Sequence, residues 1–335
     1  MRLIAGDIGG TKTLLQLVEI EGAGQRVIAE RRFASSDYTT FDDLLRAFLE
    51  CGGHAAAVDA ACFAVAGPVI ENRAEVTNLK WLMETEALQS AFAIPRVALI
   101  NDFYAVALGV PFLAGDDMVT LNAGTPHGTA PIAILGAGTG LGEAMLFWTG
   151  TRWEVVPSEG GHGDFAPQNE LQTRLFLHLH ERYGHVSWER VASGMGLVNI
   201  YEFLGGRDAD GAKIAQLAQG GDALAAQTFA MFVDIYGAEA GNMALRVLSR
   251  GGVYLAGGIA AKNVERFTDG RFMAAFLRKG RFVDVMEAMP VRLITNERVG
   301  LLGAVEMARR IAVSFRAAQP ARNPHPGGDS SLRSE

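Results

Sequence analysis

Two glycine-rich turns, each flanked by apolar strand-like runs, constrain the fold of this 335-residue chain more than any other feature. The first turn is residues 7–11, between apolar residues 3–8 and 13–18, and the second is residues 136–140, inside the apolar segment 132–146. Apolar runs joined by a short glycine turn are typical of β-hairpins. Because strand, glycine turn with threonine and strand occur once in each half of the chain, we predict a weak internal repeat.

Strand signals alternate with helix signals along the chain, which predicts an α/β fold. Residues 41–50 have the periodicity of an amphipathic helix, and Thr40 followed by Asp43 has the spacing of a capping box. Residues 60–66 and 97–100 are continuous apolar runs that we predict to be buried strands. Ligands of open α/β sheets bind at the carboxyl ends of strands, so the residues that follow these runs are candidate site residues.

Helical patterns dominate the last third of the chain. A long helix is predicted over residues 225–250, where Gly237 and Gly241 lie one turn apart and would let another backbone approach closely. Residues 301–315 also have helical periodicity. The tail from residue 317 to residue 335 is rich in Pro, Ser, Gly and Arg, and we predict that it is disordered.

Length, charge and cysteine content limit the class of protein. A chain of 335 residues is expected to form two lobes with a cleft between them, because single cores stop growing near roughly 250 to 300 residues. The net charge of −7 predicts no nucleic-acid or anionic-membrane partner. We expect a cytoplasmic protein, because no signal-peptide pattern is seen and no apolar run reaches the ~20 residues of a membrane helix. Cys51 and Cys62 form no zinc or disulfide motif, and we expect buried or half-buried thiols.

A third glycine turn, Gly257-Gly258, follows the apolar residues 253–256. Each of the three turns, taken singly, could be purely structural, since Gly-Gly is a common turn. Together they favour phosphate binding, because consecutive glycines let backbone N–H groups converge on an anion. The chain has neither a Walker A motif nor a GxGxxG turn that opens a helix, so a P-loop enzyme and a dinucleotide-dependent dehydrogenase are disfavoured.

Asp7 lies in the first glycine turn, where a carboxylate beside bound phosphates needs a cation. Mg²⁺ is the expected one, because it takes few protein carboxylates and keeps water or phosphate oxygens as its other ligands. The structural alternative is an Asx-turn that caps the hairpin. We therefore predict Asp7 as the metal residue of a phosphate site.

The three turns resemble the phosphate-1, phosphate-2 and adenosine motifs of the hexokinase, actin and Hsp70 superfamily. The matching sequences are Asp-Ile-Gly-Gly-Thr at 7–11, Gly-Ala-Gly-Thr-Gly at 136–140 and Ala-Gly-Gly at 256–258. More narrowly, further motifs resemble bacterial glucokinases of the proteobacterial and cyanobacterial type, over about residues 1–315. These motifs are Ile-Asn-Asp-Phe at 100–103, Glu-Gly-Gly-His-Gly-Asp-Phe-Ala-Pro at 159–167, Glu-Arg-Val-Ala-Ser-Gly at 189–194 and Gly-Leu-Leu-Gly at 300–303.

The resemblance implies a two-lobed, actin-like ATPase fold (ribonuclease H-like) with an interlobe cleft. The small α/β domain would comprise residues 1–112 and 300–316, and the large α/β domain residues 113–299. Sugar would lie deep between the lobes, ATP would lie across the mouth with adenine near residues 256–259, and Mg²⁺ would accompany the ATP. The residues predicted to bind nucleotide are Gly6, Asp7, Ile8, Gly9, Gly10, Thr11, Gly136, Gly138, Thr139, Gly140, Gly257 and Gly258.

The same resemblance implies transfer of the γ-phosphoryl group of ATP to the 6-hydroxyl of glucose, the reaction of EC 2.7.1.2. Asp102 would be the catalytic base for that hydroxyl, and Asn101 would read neighbouring ring hydroxyls with its donor and acceptor. Glu159, His162 and Glu189 would contact hydroxyls on the opposite side of the ring. A polyol requires such a cluster, because each hydroxyl buried without a partner costs about 1 to 3 kcal/mol.

Each of these residues also has a structural alternative when considered alone. Asn101 and Asp102 could form an Asx cap after a strand, His162 could be a structural histidine, and Glu189 could favour a helix start near Ser187. The functional interpretation is favoured because all the structural alternatives would have to hold together.

Other function classes fit the sequence less well. An actin-like or Hsp70-like ATPase would have no use for the five predicted sugar residues, and a sugar-binding regulator without turnover would be suggested by a DNA-binding segment or a lost base. ROK kinases carry a cysteine-rich zinc motif that two cysteines cannot supply. A hexose kinase of other or broader sugar specificity, and polyphosphate as donor, stay open.

Two positions depart from or vary within the family pattern. Lys12 stands where relatives vary, and its role stays open between a phosphate contact and a surface charge. Met195 stands where relatives often have proline.

The family resemblance also implies a homodimer.

Overall fold

The computed structural model describes residues 1–318 apart from residue 23, residues 52–56 and residues 77–78. The strands are β1 Arg2–Ile8, β2 Lys12–Glu21, β3 Gly24–Ala34, β4 Ala60–Val65, β5 Val69–Ile70, β6 Arg73–Val76, β7 Trp81–Glu84, β8 Val97–Asn101, β9 Met118–Asn122, β10 Ile132–Ala137, β11 Leu141–Trp148, β12 Trp153–Ser158, β13 Gly252–Ala256 and β14 Val291–Ile294. The helices are α1 Phe41–Glu50, α2 Thr85–Phe92, α3 Asp102–Gly109, α4 Glu170–Tyr183, α5 Gly194–Phe203, α6 Gly211–Gln219, α7 Ala223–Val247, α8 Gly258–Ala261, α9 Val264–Phe267, α10 Arg271–Phe276, α11 Val283–Glu287 and α12 Val299–Ala318.

Helix α1 begins where its capping residues predict. The hydroxyl oxygen of Thr40 accepts the backbone N–H of Asp43 at 3.2 Å, which satisfies one of the unpaired donors of the first turn. The apolar face of the helix is buried, and the ring of Phe41 meets that of Phe63 in β4 with 4.8 Å between centroids. The helix is therefore held both by its cap and by its packing on the first sheet.

Two sheets form the core of the fold, and they share one strand topology. The first has the order β3-β2-β1-β4-β8, and the second has the order β12-β11-β10-β13-β14-β9. In each, three antiparallel strands that follow one another in sequence are joined by two parallel strands, β4 and β8 or β13 and β14. The internal repeat and the two-lobed α/β architecture predicted from the sequence are therefore confirmed.

Helices α3 and α12 pack against each other at the junction of the two sheets. Glycine makes this close approach possible, because a methyl group at Gly109 would collide with the carbonyl of Val299, and one at Gly303 with the carbonyl of Ala105. Helix α12 also covers β1 and β4, whereas α3 reaches β11 and β12 of the other sheet. The domain boundaries at 112/113 and 299/300 stay a prediction.

The long helix α7 confirms the prediction made from its two glycines. A methyl group at Gly237 would lie 2.5 Å from the carbonyl oxygen of Phe272, and one at Gly241 would lie 2.6 Å from that of Phe276. Helix α10 therefore packs with its backbone directly against α7, in the core of the larger lobe.

Three smaller predictions have mixed outcomes. No helix in the described part of the chain is both long and apolar enough to cross a membrane. Cys62 is buried, but the prediction is wrong for Cys51, which is exposed just after the end of α1. Helix α12 continues through residues 317–318, which were predicted to be disordered, and residues 319–335 lie outside the described residues.

Candidate active site

Asn101 and Asp102 lie where strand β8 ends and helix α3 begins. The side-chain oxygen of Asn101 accepts the N–H groups of Phe103 at 2.9 Å and Tyr104 at 3.1 Å, and its amide donates to the carbonyl of Gly67 at 3.1 Å. The oxygen of Asn101 therefore caps the helix, as its structural alternative supposed. The Asn101 side chain also acts on the neighbouring Asp102 carboxylate, whose burial-raised pKa it lowers in part.

The carboxylate of Asp102 is fixed by its own helix. It accepts the N–H of Phe103 at 2.8 Å. Burial raises the pKa of Asp102 above its ordinary value, and the hydrogen bond from Phe103 opposes part of that rise. A raised pKa makes a carboxylate a stronger proton acceptor, so rigid placement and burial both suit Asp102 to act as a base.

A cavity of about 850 Å³, which we call the sugar cavity, opens at the carboxyl end of β8. Its lining includes Asn101, Asp102, Glu159 and Glu189, which come from three separate parts of the sequence. Carboxylates and an amide converging on one cavity are suited to a ligand with several hydroxyls. Four of the five predicted sugar residues therefore line the same space.

His162, the fifth predicted sugar residue, lies between two of the others. Its Nε2 atom is 3.9 Å from a carboxylate oxygen of Glu159, and its Nδ1 atom is 4.0 Å from one of Glu189. Both distances exceed a hydrogen bond, so the imidazole is close to both carboxylates without being bonded to either. The Glu159 side chain is 93% exposed and that of Glu189 is 21% exposed.

Glu189 is held between the end of the second glycine turn and the segment that contains Gly161. Its carboxylate accepts the N–H of Leu141 at 3.0 Å, and its own N–H donates to the carbonyl of Gly161 at 2.8 Å. A methyl group at Gly140 would collide with the Glu189 carboxylate, so glycine at this position of the second glycine turn lets the carboxylate keep its place. The suggested helix start at Glu189 is wrong, because helix α5 begins at Gly194.

A second cavity, of about 790 Å³, lies on the other side of the second glycine turn, and we call it the nucleotide cavity. It is lined by Gly138 and Thr139 of that turn, by Gly258 and Ile259 of the third turn, and by side chains of α5 and α6. Mixed glycine backbone and apolar helix surface is suited to a ligand with a phosphate end and a flat apolar end.

A third cavity, of about 280 Å³, connects the other two, and we call it the joining cavity. It shares Asp102 and Gly257 with the sugar cavity, and Gly258 and Lys262 with the nucleotide cavity. Asp7 also lines it. The three cavities therefore lie next to one another, between the predicted base and the predicted adenine site.

Asp7 and Asp102 face each other across the joining cavity. Burial and the neighbouring charge of Asp102 raise the pKa of Asp7 to about 6, and Lys12 opposes the rise. Two carboxylates close enough to disfavour each other's charge are a suitable environment for a hard divalent cation. In the described residues no group of three or more His, Cys, Asp or Glu side chains could hold a metal by itself. A Mg²⁺ ion would therefore need phosphate oxygens and water as further ligands, and the pair fits that requirement.

The first glycine turn adjoins the same region through Asp7. Gly6 and Ile8 are buried inside the sheet, and Gly6 is glycine because the side chains of Leu15 and Phe63 fill the space beside it. Asp7 is the residue of this segment that lines a cavity, and the parts played by Gly9, Gly10 and Thr11 in binding phosphate stay predictions. In the second turn, Gly136 lines the sugar cavity.

The structure adds residues that the sequence motifs did not indicate. The nucleotide cavity is lined by Met195, Leu197, Asp210 and Gln216 of the α5–α6 region, and Glu143 lines the sugar cavity. The four residues of the α5–α6 region do not belong to any of the three glycine turns, so the turns could not point to them. Glu143 follows the second glycine turn as a charged residue inside an otherwise apolar strand, and that anomaly could have marked it.

Comparison with known proteins identifies the family. The family model described as glucokinase matches residues 4–311. A glucokinase of Trichormus variabilis is 43% identical over 339 residues, covering 92% of this chain and 99% of that protein. A glucokinase of Yersinia enterocolitica is 35% identical over 312 residues, covering 90% of this chain and 94% of that protein.

Solved structures agree with the sequence relatives. The crystal structure of a glucokinase from an Antarctic psychrotroph is 31% identical with a TM-score of 0.85, covering 92% of this chain and 99% of that one. A ROK family glucokinase from Streptomyces griseus, solved with glucose and AMPPNP, has a TM-score of 0.60 at 23% identity, which is a likeness of fold alone. With a family model spanning nearly all the described residues and relatives matched along their whole length, this chain belongs to the glucokinase family.

Proposed function

We propose that this chain transfers the γ-phosphoryl group of ATP to the 6-hydroxyl of glucose, with Asp102 as the base. Membership of the glucokinase family supports the reaction. The observation that carries the assignment of the base is that Asp102 lines both the sugar cavity and the joining cavity. A group at that point can touch the attacking hydroxyl and also face the transferred phosphoryl group.

The chain's contribution to this reaction is positioning and charge stabilisation. Asp102 accepts the proton of the 6-hydroxyl as the oxygen attacks phosphorus, and its raised pKa favours that transfer. The terminal phosphate would lie in the joining cavity, while the N–H groups of the second and third glycine turns hold the remaining phosphates. The adenine would lie in the nucleotide cavity near Ile259.

Glucose would be selected by the groups around the sugar cavity. Glu159 and Glu189 accept hydrogen bonds from ring hydroxyls, His162 lies between these two carboxylates, and the amide of Asn101 donates to a hydroxyl near the base. A sugar that lacks or inverts one of these hydroxyls would lose the corresponding hydrogen bond. This arrangement supports glucose, although other hexoses with the same hydroxyl pattern at the bound carbons would also fit.

Mg²⁺ would be held by Asp7, facing Asp102, together with the nucleotide phosphates. When bound, it would neutralise phosphate charge in the transition state. We also propose that the protein is cytoplasmic, as expected from its sequence, and that it forms a homodimer, as the family resemblance implies.

A sugar panel assayed with ATP and Mg²⁺ tests this proposal. The wild type should phosphorylate glucose, and Asp102→Asn should lose turnover by a factor on the order of 10² to 10⁴ while still binding glucose. Asp116→Asn, the same change at an exposed position outside the cavities, should retain wild-type turnover. Undiminished turnover in Asp102→Asn would remove that residue as the base, and sugar binding without turnover in the wild type would indicate a regulator instead.

A further inference from the structure

Glu143 is a buried carboxyl that the proposed reaction does not use. It lies on β11, is 2% exposed and lines the floor of the sugar cavity. Both of its carboxylate oxygens are buried and accept no hydrogen bond from the described residues. A buried carboxyl without donors is costly when ionised, so its presence needs an explanation.

The group that faces Glu143 is another acid. Glu239 of α7 is fully buried, and its carboxylate accepts hydrogen bonds from Asn242 at 2.9 Å and Arg246 at 2.6 Å. Its charge lies close enough to Glu143 to disfavour ionisation of that second acid. Since Glu239 is already paired with a cation, it is the member of the pair that keeps its charge.

A single proton on Glu143 would remove the repulsion between the two neighbouring carboxyl groups. As a carboxylic acid, Glu143 carries an O–H that can donate to Glu239, whereas two ionised carboxylates would have no donor between them. Burial, and secondly the charge of Glu239, raise the pKa of Glu143 to about 7, with Arg246 opposing. Tyr236 of α7 is the other titratable group nearby, and its hydroxyl donates to the carbonyl of Leu135, which is paired with Glu143 across the strands.

Glu143 also lies directly beneath a loop of the sugar site. A methyl group added at Gly160 would collide with its Oε2 atom, so the carboxyl packs against the backbone of residues 159–162. The N–H of Gly160 donates to the hydroxyl of Ser158 at 3.0 Å, and Ser158 is the cross-strand partner of Glu143. This short loop carries both Glu159 and His162, two of the predicted sugar residues.

We infer that Glu143 is a positioning residue for glucose: as a carboxylic acid bonded to Glu239, it supports from below the loop that carries Glu159 and His162. The inference rests on the proposed function, because it assigns a role in the same sugar site. Glu143 acts through the loop, since its oxygens are themselves closed to ligand. Glucose binding should therefore depend on Glu143, and phosphoryl transfer from bound ATP should not.

Two substitutions separate this role from simple packing. Glu143→Leu keeps a side chain of similar size and removes the O–H, and it should raise the KM for glucose about tenfold, the effect of one lost hydrogen bond. The KM for ATP and kcat should stay within about twofold. Glu143→Gln keeps a donor of the same shape for Glu239 and should restore a KM near that of the wild type. Glu181→Gln, on the exposed surface of α4, is the matched control.

Infrared difference spectroscopy tests the proton directly and does not depend on the Leu variant folding. At a pH of about 6, below the raised pKa of Glu143, the difference spectrum of wild type minus Glu143→Gln should contain the C=O stretch of a buried protonated carboxyl, because the contribution of Asp7 is common to both proteins and cancels. The absence of that band from the difference spectrum would overturn the inference. So would a glucose KM unchanged in folded Glu143→Leu, or one raised as much in Glu143→Gln.

These outcomes are distinguishable from failure of the proposed function. If Glu143 variants behave like the wild type while Asp102→Asn is inactive, the support role is wrong and the kinase assignment stands. If Asp102→Asn retains full turnover, the base is wrong whatever the Glu143 variants do.

Discussion

Replacing Asp7 by asparagine should stabilise the ligand-free protein at neutral pH while removing most of its activity. In the folded chain, burial and the charge of Asp102 raise the pKa of Asp7 from its ordinary value of 3.8 to about 6. An acid with a raised pKa binds its proton more tightly in the folded state than in the unfolded state. Ionising it therefore costs stability as pH rises through this range.

The size of the effect follows from these two values. Below pH 3.8 both states are protonated, and Asp7 has no effect on the free energy of unfolding. At pH 5 the penalty is about 1.6 kcal/mol, and above pH 6 it approaches about 3 kcal/mol, at about 1.4 kcal/mol for each tenfold difference in the proton dissociation constant. An asparagine side chain at this position would have the same shape and no charge, so the variant should be more stable by these amounts.

Urea denaturation at pH 5 and pH 8, without nucleotide or Mg²⁺, measures the difference directly. The gain for Asp7→Asn should be about twice as large at pH 8 as at pH 5, and Asp116→Asn should show no such pH dependence. A variant no more stable than the wild type at pH 8, or a gain equal at the two pH values, would refute the electrostatic account. Adding Mg²⁺ and ATP should raise the stability of the wild type more than that of the variant.

Two glycine substitutions test close contacts in the site and in the core. Gly140→Ala should push the Glu189 carboxylate away from its backbone donor and raise the KM for glucose about tenfold in steady-state assays, and an unchanged KM would show that the contact is unimportant. Gly237→Ala should lower the free energy of unfolding by up to about 2 kcal/mol, because the overpacking cost of about 1 to 3 kcal/mol where the methyl group meets the carbonyl of Phe272 outweighs the helix gain of about 1 kcal/mol from alanine. Gly115→Ala, which meets open space, is the control, and a Gly237→Ala protein as stable as the wild type would contradict the predicted packing.

The sheets and the glycine turns could be predicted from the sequence because their signals are local. Alternating and continuous apolar runs mark the strands, and glycine pairs mark the turns, as in the hairpin β10–β11 around residues 136–140. The repeat of strand order in the two sheets follows from the repeat of these signals. The close approach at Gly237 and Gly241 was also predictable, because a glycine inside a long helix needs a packing reason.

The remaining part of the site depends on contacts between residues far apart in sequence. The cap formed by the oxygen of Asn101 was offered by the sequence as an alternative, but nothing near Asn101 shows that its amide reaches the carbonyl of Gly67. The apolar wall of the nucleotide cavity is made by helices α5 and α6, whose side chains have the pattern of an ordinary core. Glu143 of β11 lies close enough to Glu239 of α7 for the charge of Glu239 to raise its pKa, and because the two residues are distant in the chain no local pattern could indicate this.

A crystal structure with glucose and a non-hydrolysable ATP analogue tests the central claim most directly, because it measures the distance between Asp102 and the sugar. We expect a carboxylate oxygen of Asp102 within hydrogen-bonding distance, about 2.6 to 3.2 Å, of the 6-hydroxyl oxygen, with the γ-phosphate on the far side of that oxygen. A glucose molecule bound elsewhere, or one whose 6-hydroxyl lies beyond hydrogen-bonding reach of Asp102 with both ligands present, would contradict the account.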